Sequence, residues 1–138
     1  YRLFDVKATY SGQLAERPLI SKHRAFANLA YAIKGFKFDY TVSFNGKKRL
    51  PGTQANIPVY KLPGYSPAFV TMNAQISKTF GQKYPFEIYI GAENLTNYFQ
   101  KNVILAADQP FGQYFDASMV WGPVSGRMYY TGLRLTIK

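Results

Sequence analysis

The chain has 138 residues, 47% of them hydrophobic and 17% charged, which suffices for one modest core or for one segment of a larger body. Seventeen Lys and Arg against seven Asp and Glu give a net charge of +10, and the absence of cysteine excludes disulfide scaffolds and thiolate metal sites. No stretch approaches the roughly 20 consecutive apolar residues of a spanning helix, whereas twelve Tyr, eleven Phe and one Trp point to side chains that meet water and apolar material at a boundary.

Taken in chain order, period-two alternation predicts six strands. In the first, Phe4, Val6, Ala8 and Tyr10 oppose Asp5, Lys7 and Thr9. The pattern starts near Tyr1 with no start Met or leader, so the N-terminal side of the protein is expected to be missing. A long connection, Ser11 to His23, precedes a second strand in which Ala25, Ala27, Leu29, Tyr31 and Ile33 oppose Asn28 and Lys34. The third strand, after Lys34 and Gly35, alternates without fault: Phe36, Phe38, Tyr40, Val42 and Phe44 against Lys37, Asp39, Thr41, Ser43 and Asn45. At about 3.3 Å per residue and a tilt near 40°, such a strand covers the roughly 25 Å apolar band of an outer-membrane barrel.

After the long Gly46 to Pro67 connection, Val70, Met72, Ala74 and Ile76 oppose Thr71, Asn73, Gln75 and Ser77. A short joint, Gly81 to Pro85, leads to Phe86, Ile88, Ile90 and Ala92 against Glu87, Tyr89 and Glu93. The longest connection, Asn94 to Gly126, precedes the sixth strand, in which Tyr129, Leu133, Leu135 and Ile137 oppose Arg134, Thr136 and Lys138. Arg2 and Lys78 break the apolar parity near strand ends, where a long basic side chain can snorkel to an interface. Long and short joints alternate, as in a barrel with tight periplasmic turns and large extracellular loops. Six strands are too few to close a barrel, and open edges are not tolerated in lipid, so further strands are expected.

At the end of the chain Tyr130, Gly132, Leu135 and Ile137 fit the spacing of a barrel insertion signal, although a terminal aromatic is lacking. Upstream, Gly91-Ala92-Glu93-Asn94-Leu95-Thr96-Asn97-Tyr98 leaves a strand and Gly126-Arg127 opens the last one. This pairing resembles the final hairpin of TonB-dependent outer-membrane receptors. The stretches Arg24 to Tyr31, Lys48-Arg49-Leu50-Pro51, Ser66-Pro67, Met72 to Ile76 and Phe111 to Pro123 are similar to one branch of that family.

The resemblance implies an all-β fold, a transmembrane antiparallel β-barrel of roughly 22 strands of which residues 1–138 supply the last six, with the plug domain absent from this chain. It implies active uptake of a scarce solute such as a siderophore, haem, cobalamin, metal complex or glycan in the bacterial outer membrane. The expected partners are outer-membrane lipid and lipopolysaccharide, the TonB complex through the missing N-terminal part, the barrel-assembly machinery and a small-molecule or glycan ligand, but no nucleic acid.

No cofactor, metal or catalytic residue is expected, because His23 is the only histidine and no triad or metal-ligand spacing occurs. Candidate ligand contacts are Arg49, in the basic triplet Lys47-Lys48-Arg49 that reads first as a solvated or lipid-phosphate-facing loop, and Tyr114, Asp116 and Trp121 in the last loop, whose aromatics read first as packing on their own or neighbouring loops. The inward charges Lys37, Asp39, Glu87, Glu93 and Arg134 are expected to bond to one another or to a plug, and Glu93 and Arg127 to face each other across the last hairpin. Two other readings share these features. One is a passive channel or adhesin barrel; the other is a soluble all-β carbohydrate- or nucleic-acid-binding module, against which the roughly 10-residue strands argue.

Overall fold

The computed structural model describes residues 1–81 and 85–137. The fold is all-β, with strands β1 (Arg2–Leu3), β2 (Lys7–Tyr10), β3 (Gln13–Glu16), β4 (His23–Ile33), β5 (Phe36–Asn45), β6 (Phe69–Phe80), β7 (Phe86–Glu93) and β8 (Met128–Leu135). Among the described residues the one helical element is a 3-10 turn at Pro58–Tyr60. Six strands form an antiparallel sheet in the order β1-β4-β5-β6-β7-β8, and β2 and β3 form a separate hairpin. The sheet is open, with β1 and β8 at its edges.

The chain divides into two compact units, a loop unit (Tyr1–Ala25, Phe44–Phe69, Phe99–Ser125) and a sheet unit (Phe26–Ser43, Val70–Tyr98, Gly126–Lys138). In the sheet unit, Lys34 and Gly35 both take left-handed φ values, 48° and 79°. That is the signature of a two-residue type I′ turn, whose twist matches the strands it joins. Of the joint expected over Gly81 to Pro85, residues 82–84 lie outside the described residues, as does the terminal Lys138.

Registers sort the side chains into two faces. On one face Ala74, Ala92 and Tyr129 lie in a row, followed by Ile76, Ile90 and Thr131, then Lys78, Ile88 and Leu133, then Phe80, Phe86 and Leu135. Tyr31, Phe36, Phe38, Tyr40, Ile90 and Leu133 are among the large apolar residues left exposed. The parity break at Lys78 is accommodated as a snorkel: its ammonium donates to the Lys34 carbonyl at 2.7 Å and sits 4.0 Å from the Phe36 ring centroid. The other face carries Asn28, Lys37, Asp39, Gln75, Ser77, Glu87, Tyr130 and Arg134.

The first expected strand is corrected. Instead of one run from Phe4 to Tyr10, only Arg2–Leu3 joins the sheet, against Arg24 and His23, while Lys7–Tyr10 folds back on Gln13–Glu16. Alternation reports that a segment is extended, not which strand it pairs with. What decides here is Ser11-Gly12, whose left-handed φ values of 49° and 80° close a second type I′ hairpin inside the expected long connection. The last strand is also shorter than its alternation, ending at Leu135, although Thr136 still donates to the Pro85 carbonyl at 3.0 Å.

In the loop unit a small core gathers Tyr60, Leu105 and Ala106, with Leu62 and Tyr114 packed against it. Ser21 is fully buried, and its hydroxyl lies 2.8 Å from both the His23 and Gly46 carbonyls, tying the start of β4 to the end of β5.

Candidate functional site

On the polar face of the sheet unit, Glu87 is buried between three partners. It accepts from the Ser77 hydroxyl at 2.6 Å and from Arg134 at 3.0 Å, and the Lys37 ammonium lies 4.0 Å away. Asn28 donates to Asp39 at 3.1 Å and to the Thr41 hydroxyl at 2.8 Å. Lys37, Asp39, Ser77, Glu87 and Arg134 line a cleft of about 360 Å³ together with Gln75, whose other walls include Tyr31 and Phe38. The expectation that inward charges bond to one another therefore holds for Lys37, Glu87 and Arg134. A carboxylate inside a sheet that is otherwise apolar on its far side is tolerable only with such satisfaction.

Next to this cluster, Tyr89 lies directly opposite Gly132, and Gly91 directly opposite Tyr130. A Cβ on Gly91 would meet Tyr130 Cζ at 2.3 Å, and one on Gly132 would meet the Tyr89 hydroxyl at 2.2 Å, so each ring lies over the opposing glycine. The Tyr130 hydroxyl then donates to Gln75 at 3.0 Å. Two of the four insertion-signal candidates, Tyr130 and Gly132, thus join this reciprocal packing. Leu135 closes β8 on the apolar face, and Ile137 follows beyond the strand, exposed.

The base of the last loop is stapled by Asn94, which takes a left-handed φ of 51°. Its side chain donates to the Tyr98 carbonyl at 2.7 Å and accepts from the Tyr98 amide and the Thr96 hydroxyl, while its own amide donates to Asn73. Across the hairpin the Arg127 guanidinium donates to the Leu95 carbonyl at 2.8 Å, and its amide donates to Asn97. The expected Glu93–Arg127 pair does not form: the guanidinium turns to a backbone carbonyl and the Tyr129 hydroxyl instead. A carbonyl left over at a loop base is a fixed acceptor, whereas an exposed carboxylate is equally well served by water. Burial pushes the Tyr98 phenol above its ordinary range.

In the loop unit the structural centre is a residue to which nothing in the sequence drew attention. Gln100, buried to 3% exposure, donates its side-chain amide to the Met119 carbonyl at 2.8 Å. Its side-chain oxygen accepts from the Trp121 and Gly122 amides at 2.8 and 3.1 Å, and its backbone amide donates to Pro123. Glutamine in a loop is exposed by default, so no sequence signal marks it.

The four candidate ligand contacts do not converge on one point. Tyr114 packs on Tyr60, with ring centroids 5.7 Å apart, and lines with Asp116 a polar cavity of about 150 Å³ beside Thr53 and Asn56. Asp116 accepts from the Ser118 amide at 2.7 Å, and Leu105 and Asp116 exchange backbone bonds. Arg49 turns instead to the β2–β3 hairpin, donating to the Glu16 carbonyl at 2.8 Å with its guanidinium 5.1 Å from the Tyr10 ring. Trp121 packs against Phe69 and offers its carbonyl to the Lys48 ammonium. Burial, helped by the charge of Arg24, holds Lys48 below the usual lysine range. The Tyr60 hydroxyl donates to Asp108 at 2.6 Å, and this bond raises the tyrosine above its ordinary value.

No protein-family model, curated protein or solved structure matches this chain. Functional assignment therefore rests on the residues themselves. His23, the only histidine, has Nδ1 2.7 Å from the Tyr1 hydroxyl with the rings stacked. Among the described residues no three His, Cys, Asp or Glu side chains gather closely enough to hold a metal ion. What the arrangement offers is a sheet with one apolar and one polar face, and loops braced by buried side-chain amides. Such parts separate environments and bind solutes by hydrogen bonds, stacking and charge.

Proposed function

We propose that the chain forms the last strands and outer loops of a TonB-dependent-receptor-like β-barrel in the bacterial outer membrane, which takes up a scarce solute. The observation that carries this reading is the exposed apolar face of β5 to β8, set back to back with a hydrogen-bonded polar face. A water-soluble protein rarely leaves so many large apolar side chains uncovered on one surface, whereas a barrel wall turns such a face to lipid and its polar face to the lumen. Strand lengths support it: β4, β5 and β6 have 11, 10 and 12 residues, enough for a tilted span of the apolar band. The stapled bases of the long connections support it too, since extracellular loops on a barrel must hold their shape without a core beneath them. In this reading the open edges β1 and β8 pair with strands outside this chain.

Single-cysteine labelling in isolated outer membranes tests the assignment. Ile76→Cys, Ile90→Cys and Leu133→Cys should react with a membrane-confined maleimide and resist a membrane-impermeant one. Gln75→Cys, on the opposite face, should show the reverse. Equal reaction of all four with the impermeant reagent in detergent-free extracts would sink the barrel assignment. Uptake that survives collapse of the proton-motive force would replace active import with passive passage.

A further inference from the structure

We infer that Arg2, Lys22, Arg24 and Lys47 form a binding site for a small polyanionic solute, one bearing several carboxylates or phosphates. The inference deepens the uptake reading by naming a solute class, and it rests on that reading for its direction.

The argument starts from register. Arg2 is directly opposite Arg24 where β1 meets β4. The antiparallel bridge between Ser21 and Lys48 and the bond from the Gly46 amide to the His23 carbonyl at 2.8 Å set Lys22 directly opposite Lys47. Lys22 lies at a bend immediately before β4, two residues from Arg24. Two like-charge pairs thus meet at the start of β4, an arrangement that works against strand pairing unless an anion lies between them. Rings hold two of the heads in place: the Arg24 guanidinium is 5.6 Å from the Phe4 ring and the Lys47 ammonium 4.8 Å from that of Tyr65.

Countercharge is scarce. Among the described residues, Asp5 is the one carboxylate within ion-pair reach of the four, 3.7 Å from Lys22, and it is shared with Lys7 at the same distance. The polar face of the sheet unit provides the contrast, since there Glu87 has both Arg134 and Lys37 beside it. In that cluster one buried carboxylate serves two cations; at the start of β4 the single carboxylate Asp5, shared with Lys7, pairs with Lys22 and no carboxylate among the described residues pairs with Arg2, Arg24 or Lys47. Guanidinium forks beside compact ammonium groups suit oxyanions with more than one charge. In the sequence Lys47 continues the polar parity of β5, and Arg24 that of Asn28, so within the barrel reading these cations face the solute path. Lipopolysaccharide phosphates, which lie on the lipid side, are the competing source of the same chemistry.

Hydrogen exchange on the detergent-purified protein tests the site, with citrate and inorganic pyrophosphate as probes at low ionic strength. Either anion should slow exchange across residues 21–24 and 46–48, and the concentration for half protection should rise by about tenfold or more in a K22Q/K47Q double variant. K61Q, at an exposed lysine elsewhere in the loop unit, should leave it unchanged. In anion-free buffer K47Q alone should exchange more slowly than the native protein over the same segments, because a like-charge pair is gone, and this arm also shows that the variant folds. Equal half-protection in native and double-variant protein would overturn the proposal, as would protection by lipopolysaccharide micelles with none by citrate or pyrophosphate. The measurement needs no energised membrane, so intact anion protection alongside energy-independent uptake would remove only the active-import reading.

Discussion

Replacing Gln100 with Ala should unlock the last long loop without disturbing the sheet. The side chain makes three hydrogen bonds, to the Met119 carbonyl and the Trp121 and Gly122 amides, and it is buried with only 3% exposure. At a net of about 1 kcal/mol for each bond, the substitution removes about 3 kcal/mol of local stability. Because about 1.4 kcal/mol corresponds to tenfold, the opening equilibrium of the loop should shift by roughly two orders of magnitude. Amide exchange resolved by mass spectrometry reads this directly: residues 119–123 should lose protection by that factor, while β7 and β8 keep theirs. Gln100→Glu should open the loop as well, since the carboxylate cannot donate to the Met119 carbonyl and faces it instead. Unchanged exchange at Trp121 and Gly122 in Q100A would refute the claim that this side chain holds the loop together.

Gly132→Ala would drive a methyl group into the Tyr89 ring, and overpacking of this kind costs about 1–3 kcal/mol; denaturant titration of the folded protein in detergent should show that loss, with the Y89A/G132A double variant less destabilised than the sum of its parts. Tyr60 has a raised pKa because its neutral hydroxyl donates to Asp108, so its contribution is complete below the ordinary tyrosine value of 10.0 and disappears as pH rises through the raised one. Limited proteolysis of the loops should therefore accelerate above that pH in the native protein, and Y60F should flatten the dependence. Ile90→Lys, in the middle of the apolar face, should cost about 2–4 kcal/mol and reduce assembled protein in outer membranes, whereas Gln75→Lys on the polar face should be tolerated. Equal assembly of the two variants would contradict the facial assignment.

Much of the sheet was legible in the sequence because its information is carried by period two. Phe36 to Asn45 needed no partner to reveal its faces, and Lys34-Gly35 placed the turn. The first strand was not legible, since Phe4 to Tyr10 alternates whether it pairs with β4 or turns back at Ser11-Gly12, and only backbone conformation distinguishes the two. The parity break at Lys78 was readable as a snorkel because a four-carbon stem near a strand end has a predictable reach. Loop structure stayed hidden for a different reason. Gln100, Ser21 and Asn94 each act through a few hydrogen bonds of one buried side chain at a unique place, with no period to betray them. The four ligand candidates were chosen for residue type and loop position, and in the structure their side chains turn to neighbours in different elements: Arg49 to the β2–β3 hairpin, Tyr114 to Tyr60 and Trp121 to Phe69.

The reciprocal seating of Tyr89 over Gly132 and Tyr130 over Gly91 has a consequence for how the chain pairs during folding. A sheet with one apolar face forbids a slip by one residue but permits a slip by two, which keeps every side chain on its proper side. Slipped by two in one direction, Tyr89 would stand against Tyr130; slipped in the other, Gly91 would stand against Gly132 and both rings would lose their seats. The correct alignment is the only one of the three in which both large residues find small ones. The last strand pair therefore carries its own check on alignment, one tyrosine and one glycine from each strand, at the sheet edge where a misplaced strand would be hardest to correct.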